Sequence, residues 1–188
     1  MEIEIGCCYD GVYCALQLGE FVLNALVRLF LDICLLKRGP QDIPASPFLF
    51  QGMLVTYFAA NLILNVISGI DLIPALMSSA AELLLLLLSI WVVLSLAKYR
   101  SRFTQTAIAM MGTLLIFSVI SVLLYVWLEH AVTEAEKQGL LVSSVVLWIW
   151  TISVGGHIFR HALNTVFFVG FLVSFVNMSI LIEILSAL

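Results

Sequence analysis

Charge is what this chain has least of. Only 11% of its 188 residues are charged and 63% are hydrophobic, whereas a soluble domain is about half apolar and a quarter charged. A domain folded in water needs charge on its surface, and this composition does not supply it. Positive charge is the scarcer sign, with 8 Lys and Arg against 12 Asp and Glu and a net charge of -4. The resulting pI of about 5.2 leaves no basic stripe to face phosphates, which argues against a nucleic-acid partner. Cysteine is confined to Cys7, Cys8, Cys14 and Cys34, at spacings that match neither a zinc site nor CxxC, so reduced thiols are expected, with acylation of Cys34 as the alternative. A basic leader is missing too. Met1-Glu2-Ile3-Glu4 is acidic where a secretory signal needs cations, and nothing is expected to be removed.

What the chain has instead is long apolar runs, with a mean hydropathy of +1.16. Lipid asks only that backbone hydrogen bonds close within each segment, and a helix does that. The expected fold is an all-α integral membrane protein, a five-helix transmembrane bundle preceded by an N-terminal amphipathic interfacial helix. Spans are expected at about 47–69, 74–97, 104–127, 140–154 and 163–184, with 1–46 as a cytoplasmic segment. Ser46 followed by Pro47 opens the first span as cap and first helical residue, Pro74 opens the second, and Glu129 to Gly139 forms the most polar connection. The fourth span should be the shortest, ended by Gly155-Gly156.

Lys and Arg set the orientation. With the N-terminus inside, Arg28, Lys37, Arg38, Lys98, Arg100, Arg102 and Arg160 fall inside and only Lys137 falls outside. The C-terminus is then expected outside. In the helix expected at about 18–36, Gln17, Glu20, Asn24, Arg28 and Asp32 recur every three or four residues and form a narrow polar stripe on a wide apolar face. Such a helix lies in the interface, ended by Lys37-Arg38 where anionic lipid and the helix dipole both favour cations. A sixth, short span is the alternative for the same residues.

Glu82 is the one ionisable residue well inside an expected span, and such a group needs a partner. Counting along the helices puts it at the level of Asn61, Asn65, Ser118, Ser121 and Asn177, with Tyr57 on the Asn61 and Asn65 face. Interhelical hydrogen bonding is one reading of this polar cluster. An outward-facing cavity in which Glu82 binds a cation, a proton or a headgroup is the other. Ser78-Ser79-Ala80-Ala81, and Gly170 with Ser174, are small residues that let helices approach, and the fifth span is expected to be central. His157 and His161 share a helical face, but no third ligand accompanies them, so no metal or other cofactor is expected. GxSxG, HExxH, paired intramembrane aspartates and a phosphate-binding glycine loop are all missing, and no enzyme is expected.

Three stretches carry a resemblance: Gly39-Pro40-Gln41-Asp42-Ile43-Pro44-Ala45-Ser46 before the first span, Arg102-Phe103-Thr104-Gln105-Thr106-Ala107 opening the third, and Trp148 to Arg160 ending in Gly156-His157-Ile158-Phe159-Arg160. With the cytoplasmic pre-helix and five spans, over roughly Leu35 to Leu188, the chain resembles the YIP (Ypt-interacting protein) family of small multi-pass proteins, particularly its short prokaryotic members. The acidic, tyrosine- and glycine-containing signatures of eukaryotic members are missing, so their trafficking role with small GTPases is not implied. The resemblance implies a five-span bundle without catalysis that organises membrane or scaffolds partners: the lipid bilayer, other membrane proteins or itself. A bacterial inner membrane is the expected location. The competing expectation is a small transporter or ion-handling protein built on Glu82, Asn61, Asn65 and Asn177.

Overall fold

The computed structural model describes residues 24–186, apart from the side chains at 129, 182 and 184–186. Among these residues every regular element is helical. Helix α1 occupies 24–34, and after a 3-10 turn at Pro40–Asp42 come α2 (Pro47–Ile67), α3 (Leu72–Leu96), α4 (Phe103–His130), α5 (Glu134–Leu163) and α6 (Phe167–Ser186). Four of these, α2 to α5, are long and apolar enough to cross a membrane, and α6 adds a shorter apolar stretch over Phe167–Leu181. Val55, Ile63, Leu84, Leu123, Val146 and Val176 stand exposed on the outside of the bundle. In water that belt would aggregate; in lipid it is the surface the solvent requires.

Local chemistry explains most boundaries. The Ser46 hydroxyl accepts a hydrogen bond from the Leu49 amide (3.4 Å) with Pro47 at the first helical position, so α2 starts where the cap signal says. Helix α3 starts two residues before Pro74, at Leu72, because proline is tolerated in a first turn whose amides have no helical acceptor. The polar stretch from Glu129 to Gly139 was expected as a loop and is mostly helix. Thr133 Oγ1 accepts from the Glu136 amide (3.2 Å), while Glu136 Oε2 accepts from the Thr133 amide (3.0 Å), a capping box that starts α5 at Glu134.

The fourth span departs furthest from expectation. Instead of ending near Val154 as the shortest, α5 runs 30 residues through Gly155 and Gly156 to Leu163 and is the longest described helix. Its glycines face α6: a Cβ on Gly156 would lie 2.7 Å from the Phe171 Cα, and one on Gly170 would strike the Gly156 carbonyl oxygen. Backbones in contact replace the side-chain packing that glycine lacks. Asn164 then closes α5 in the left-handed conformation (φ 54°), the position where Asn and Gly are favoured.

Helix α4, not α6, is central. It packs against α2, α3 and α5, whereas α6 lies on α5 and α3 with Phe168, Leu172, Val176 and Ile180 exposed. The reason is readable in Ala107-Ile108-Ala109-Met110-Met111-Gly112, a run of small and flexible residues buried on every side.

Lys98, Arg100 and Arg102 precede α4 and Arg160 lies in the last turn of α5, so the topology brings them to one end of the bundle. Asp71, Glu134, Glu136 and Lys137 mark the other end. At the cationic end Arg102 Nη1 donates to the carbonyls of His161 (2.9 Å) and Ala162 (3.0 Å), two acceptors that the end of α5 leaves open. Gln105 Nε2 donates to the Ile43 carbonyl (2.8 Å), and His157 Nε2 donates to the Arg38 carbonyl (3.0 Å). The segment before α2 is thereby fixed to α4 and α5.

Candidate functional site

Two regions compete for attention, the polar residues among α2, α3, α4 and α6, and the surface of α1. Tyr57, Asn61 and Asn65 succeed one another at four-residue spacing on α2, so they share a face, and that face meets Ser78, Ser79 and Glu82 of α3. The Tyr57 hydroxyl donates to Glu82 Oε1 at 2.7 Å. Asn65 Nδ2 donates to the Ser79 hydroxyl (3.0 Å) and the Ser78 hydroxyl (3.3 Å). Asn61 Nδ2 turns back to the Tyr57 carbonyl of its own helix at 3.1 Å. Tyr57 is buried and Glu82 partly so, which makes the pair a helix-to-helix bond in a closely packed seam.

The six expected cluster residues do not converge. Glu82, Asn61 and Asn65 belong to the α2/α3 seam. Ser118 donates to the Leu114 carbonyl of its own helix (2.8 Å), and with the exposed Ser121 it lines a cleft between α2, α4 and α5 that Asn65 also borders. Asn177 is buried beside Leu85, Ser89 and Val93 of α3, beyond the reach of Glu82, and its amide nitrogen has no partner among the described residues. Equal depth along the helices was the reason for grouping them. In the structure Ser118 and Ser121 line the cleft on α4, and Asn177 shares its pocket with Leu85 to Val93, about one to three turns past Glu82 along α3. Tyr57 was read as sharing the Asn61 and Asn65 face but not as the partner of Glu82, and Ser78 and Ser79, which bond Asn65, were read only as small residues.

Helix α1 and the residue after it, Leu35, present three faces. Leu29, Phe30, Ile33 and Cys34 are buried, Val27, Leu31 and Leu35 are exposed and apolar, and Asn24, Arg28 and Asp32 form the polar edge, with Asn24 and Arg28 exposed. Glu20, the remaining residue of the expected stripe, lies outside the described residues, as do Gln17, Cys7, Cys8 and Cys14. The Phe30 ring packs against Gly112, and Trp150 Nε1 donates to the Cys34 carbonyl at 3.0 Å. At 1.5 Å per residue those contacts lie about 14 Å along α4 from Phe103 and about 20 Å along α5 from Leu163. Beyond that depth the same side of α4 carries exposed Val119, Leu123 and Trp127. Arg38 Nε sits 3.4 Å from the Asp32 carboxylate at the polar edge. Burial pushes the Cys34 thiol up to about 11, so it is protonated and enclosed, the opposite of an acylation site.

The His157 and His161 rings stack edge to face at 4.5 Å, and among the described residues no three His, Cys, Asp or Glu side chains group to hold a metal ion. Gln41 Nε2 lies 3.5 Å from His161 Nδ1, and the side chains of Arg102, Gln105 and His157 at this end reach backbone carbonyls. No family model, no curated protein and no solved structure matches the chain.

Proposed function

We propose that this is a non-enzymatic, multi-pass membrane protein that organises the bilayer around it, and that α1 is its membrane-shaping element. The observation that carries the reading is the three-faced surface of α1. Its buried face is held by α4 and α5 through Phe30 and Cys34, its apolar flank of Val27, Leu31 and Leu35 is open, and its polar edge carries Arg28. A helix so placed takes up area in one leaflet, with Arg28 reaching toward headgroups. In this reading the bundle has five spans, α2 to α6, and the cationic end with α1 faces the cytoplasm of a cell membrane, as the distribution of Lys and Arg favours. The likeness to the YIP family rests on the sequence stretches given above, and a role in scaffolding other membrane proteins is part of the same proposal.

The transport alternative centres on Glu82. The Tyr57 hydroxyl bonded to it in a helix contact favours a holding role instead.

The test uses the full chain in liposomes of mixed zwitterionic and anionic lipid. Wild-type protein is expected to narrow the vesicle size distribution toward smaller diameters, and a Val27→Asn, Leu31→Asn, Leu35→Asn triple variant is expected to leave it near that of empty liposomes. Equal vesicle sizes for both proteins would remove α1 from the mechanism.

A further inference from the structure

We propose that the cleft between α2, α4 and α5 is a binding site for one acyl chain of a glycerophospholipid, entered from the leaflet opposite α1. The inference requires that the helices cross a bilayer but not that α1 shapes it, so the two readings stand or fall separately.

The cleft holds about 570 Å³, within the range of sites that enclose small ligands. Its polarity is graded along the bundle. Asn65 and Ser68 in the last turn of α2, and Tyr125 near the end of α4, line the end beside the α2/α3 and α4/α5 connections. Leu114, Phe117 and Leu147 line the deep end. Ser118, Ser144 and Thr151 also border the cleft, but each donates its hydroxyl proton to a carbonyl one turn back in its own helix, at 2.8, 2.9 and 2.9 Å. Their hydrogens are committed, so the deep wall offers methyl, methylene and ring surface.

A greasy deep end below a neutral polar mouth has the polarity profile of a lipid in its own leaflet, with ester and glycerol oxygens at the mouth and a hydrocarbon tail below. Among the described side chains none that lines the cleft is charged, so recognition is assigned to the tail and ester region rather than to the phosphate. A second copy of the chain is a poor fit, because a helix about 10 Å across would need about twice this volume over the same length. A single tail is the narrower occupant and matches the graded lining.

The experiment reconstitutes the full chain in phosphatidylcholine nanodiscs containing a trace of phosphatidylcholine with a diazirine in the middle of one tail. After irradiation, adducts are mapped by peptide mass spectrometry. Adducts are expected to concentrate on 114–128 and 144–151. Ser121→Trp on α4 and, separately, Ser144→Phe on α5 plug the cleft from different walls, and each should lower those adducts about tenfold while labelling of α3 and α6 stays unchanged, which shows that the variant is folded. Moving the same diazirine to a phosphatidylglycerol should alter the yield by less than about twofold. Adducts spread evenly over all the lipid-facing helices, adducts that survive both plugs, or a strong dependence on the headgroup would each overturn the proposal.

Discussion

The α2/α3 and α5/α6 pairs are both antiparallel neighbours joined by short turns, and they are held in opposite ways. Between α2 and α3 the contact is made by polar side chains, Tyr57 to Glu82 and Asn65 to Ser78 and Ser79. Between α5 and α6 it is made by their removal: Gly156 and Gly170 bring the two backbones together, and the buried Ser174 hydroxyl lies against Gly155 without a hydrogen-bond partner among the described residues. Lipid offers no hydrophobic gain for pressing apolar helices together, so a pair needs either directional bonds or close backbone contact. This chain uses one device at each pair.

The comparison is broken most severely by filling the glycine contact. Gly170→Leu must displace the Gly156 carbonyl and the Arg160 backbone, and it is expected to cost about 3 kcal/mol, read as a large fall in the thermal unfolding temperature in nanodiscs. Glu82→Leu should follow at about 2 kcal/mol, because it strands the buried Tyr57 hydroxyl, whereas Glu82→Gln keeps an acceptor and should cost under about 1 kcal/mol. If the two Glu82 variants unfold alike, the hydrogen bond is not what holds the seam. Asn65→Val removes the bonds to both serines and should cost about 1 kcal/mol in denaturant titration. Ser174→Ala carries the smallest effect and the opposite sign, since it deletes an unsatisfied buried hydroxyl; a gain of up to about 1 kcal/mol is expected, and a measurable loss would show that Ser174 has a role beyond filling space.

The same contrast explains what could be read in advance. Long apolar runs, the Ser46 cap and the clustering of cations at one end follow from composition and local chemistry, and the α2 boundaries came out within two residues. Gly155-Gly156 misled because glycine signals a stop when nothing is known of its neighbour, and only the approach of Gly170 from α6 turns it into a contact surface. Asn177 misled in another way. Counting residues put it level with Glu82, but the register of α6 against α3, which the sequence alone does not show, sets it beside Leu85, Ser89 and Val93. The polar cluster was therefore half legible: of the six residues grouped by depth, Glu82, Asn61 and Asn65 lie in one seam, and Ser118, Ser121 and Asn177 belong elsewhere.

The bond from Trp150 to the Cys34 carbonyl spans 116 positions of sequence, and that from His157 to the Arg38 carbonyl spans 119. In order of synthesis the docking ground on α5 thus follows α1 by more than a hundred residues. At ~10 residues per second, α1 would wait roughly ten seconds for its groove, with Leu29, Phe30 and Ile33 lodged meanwhile in lipid or on a chaperone. Closure of the cationic end then waits on α5, and a chain stopped before α5 would leave the Cys34 and Arg38 carbonyls without their bonds to Trp150 and His157.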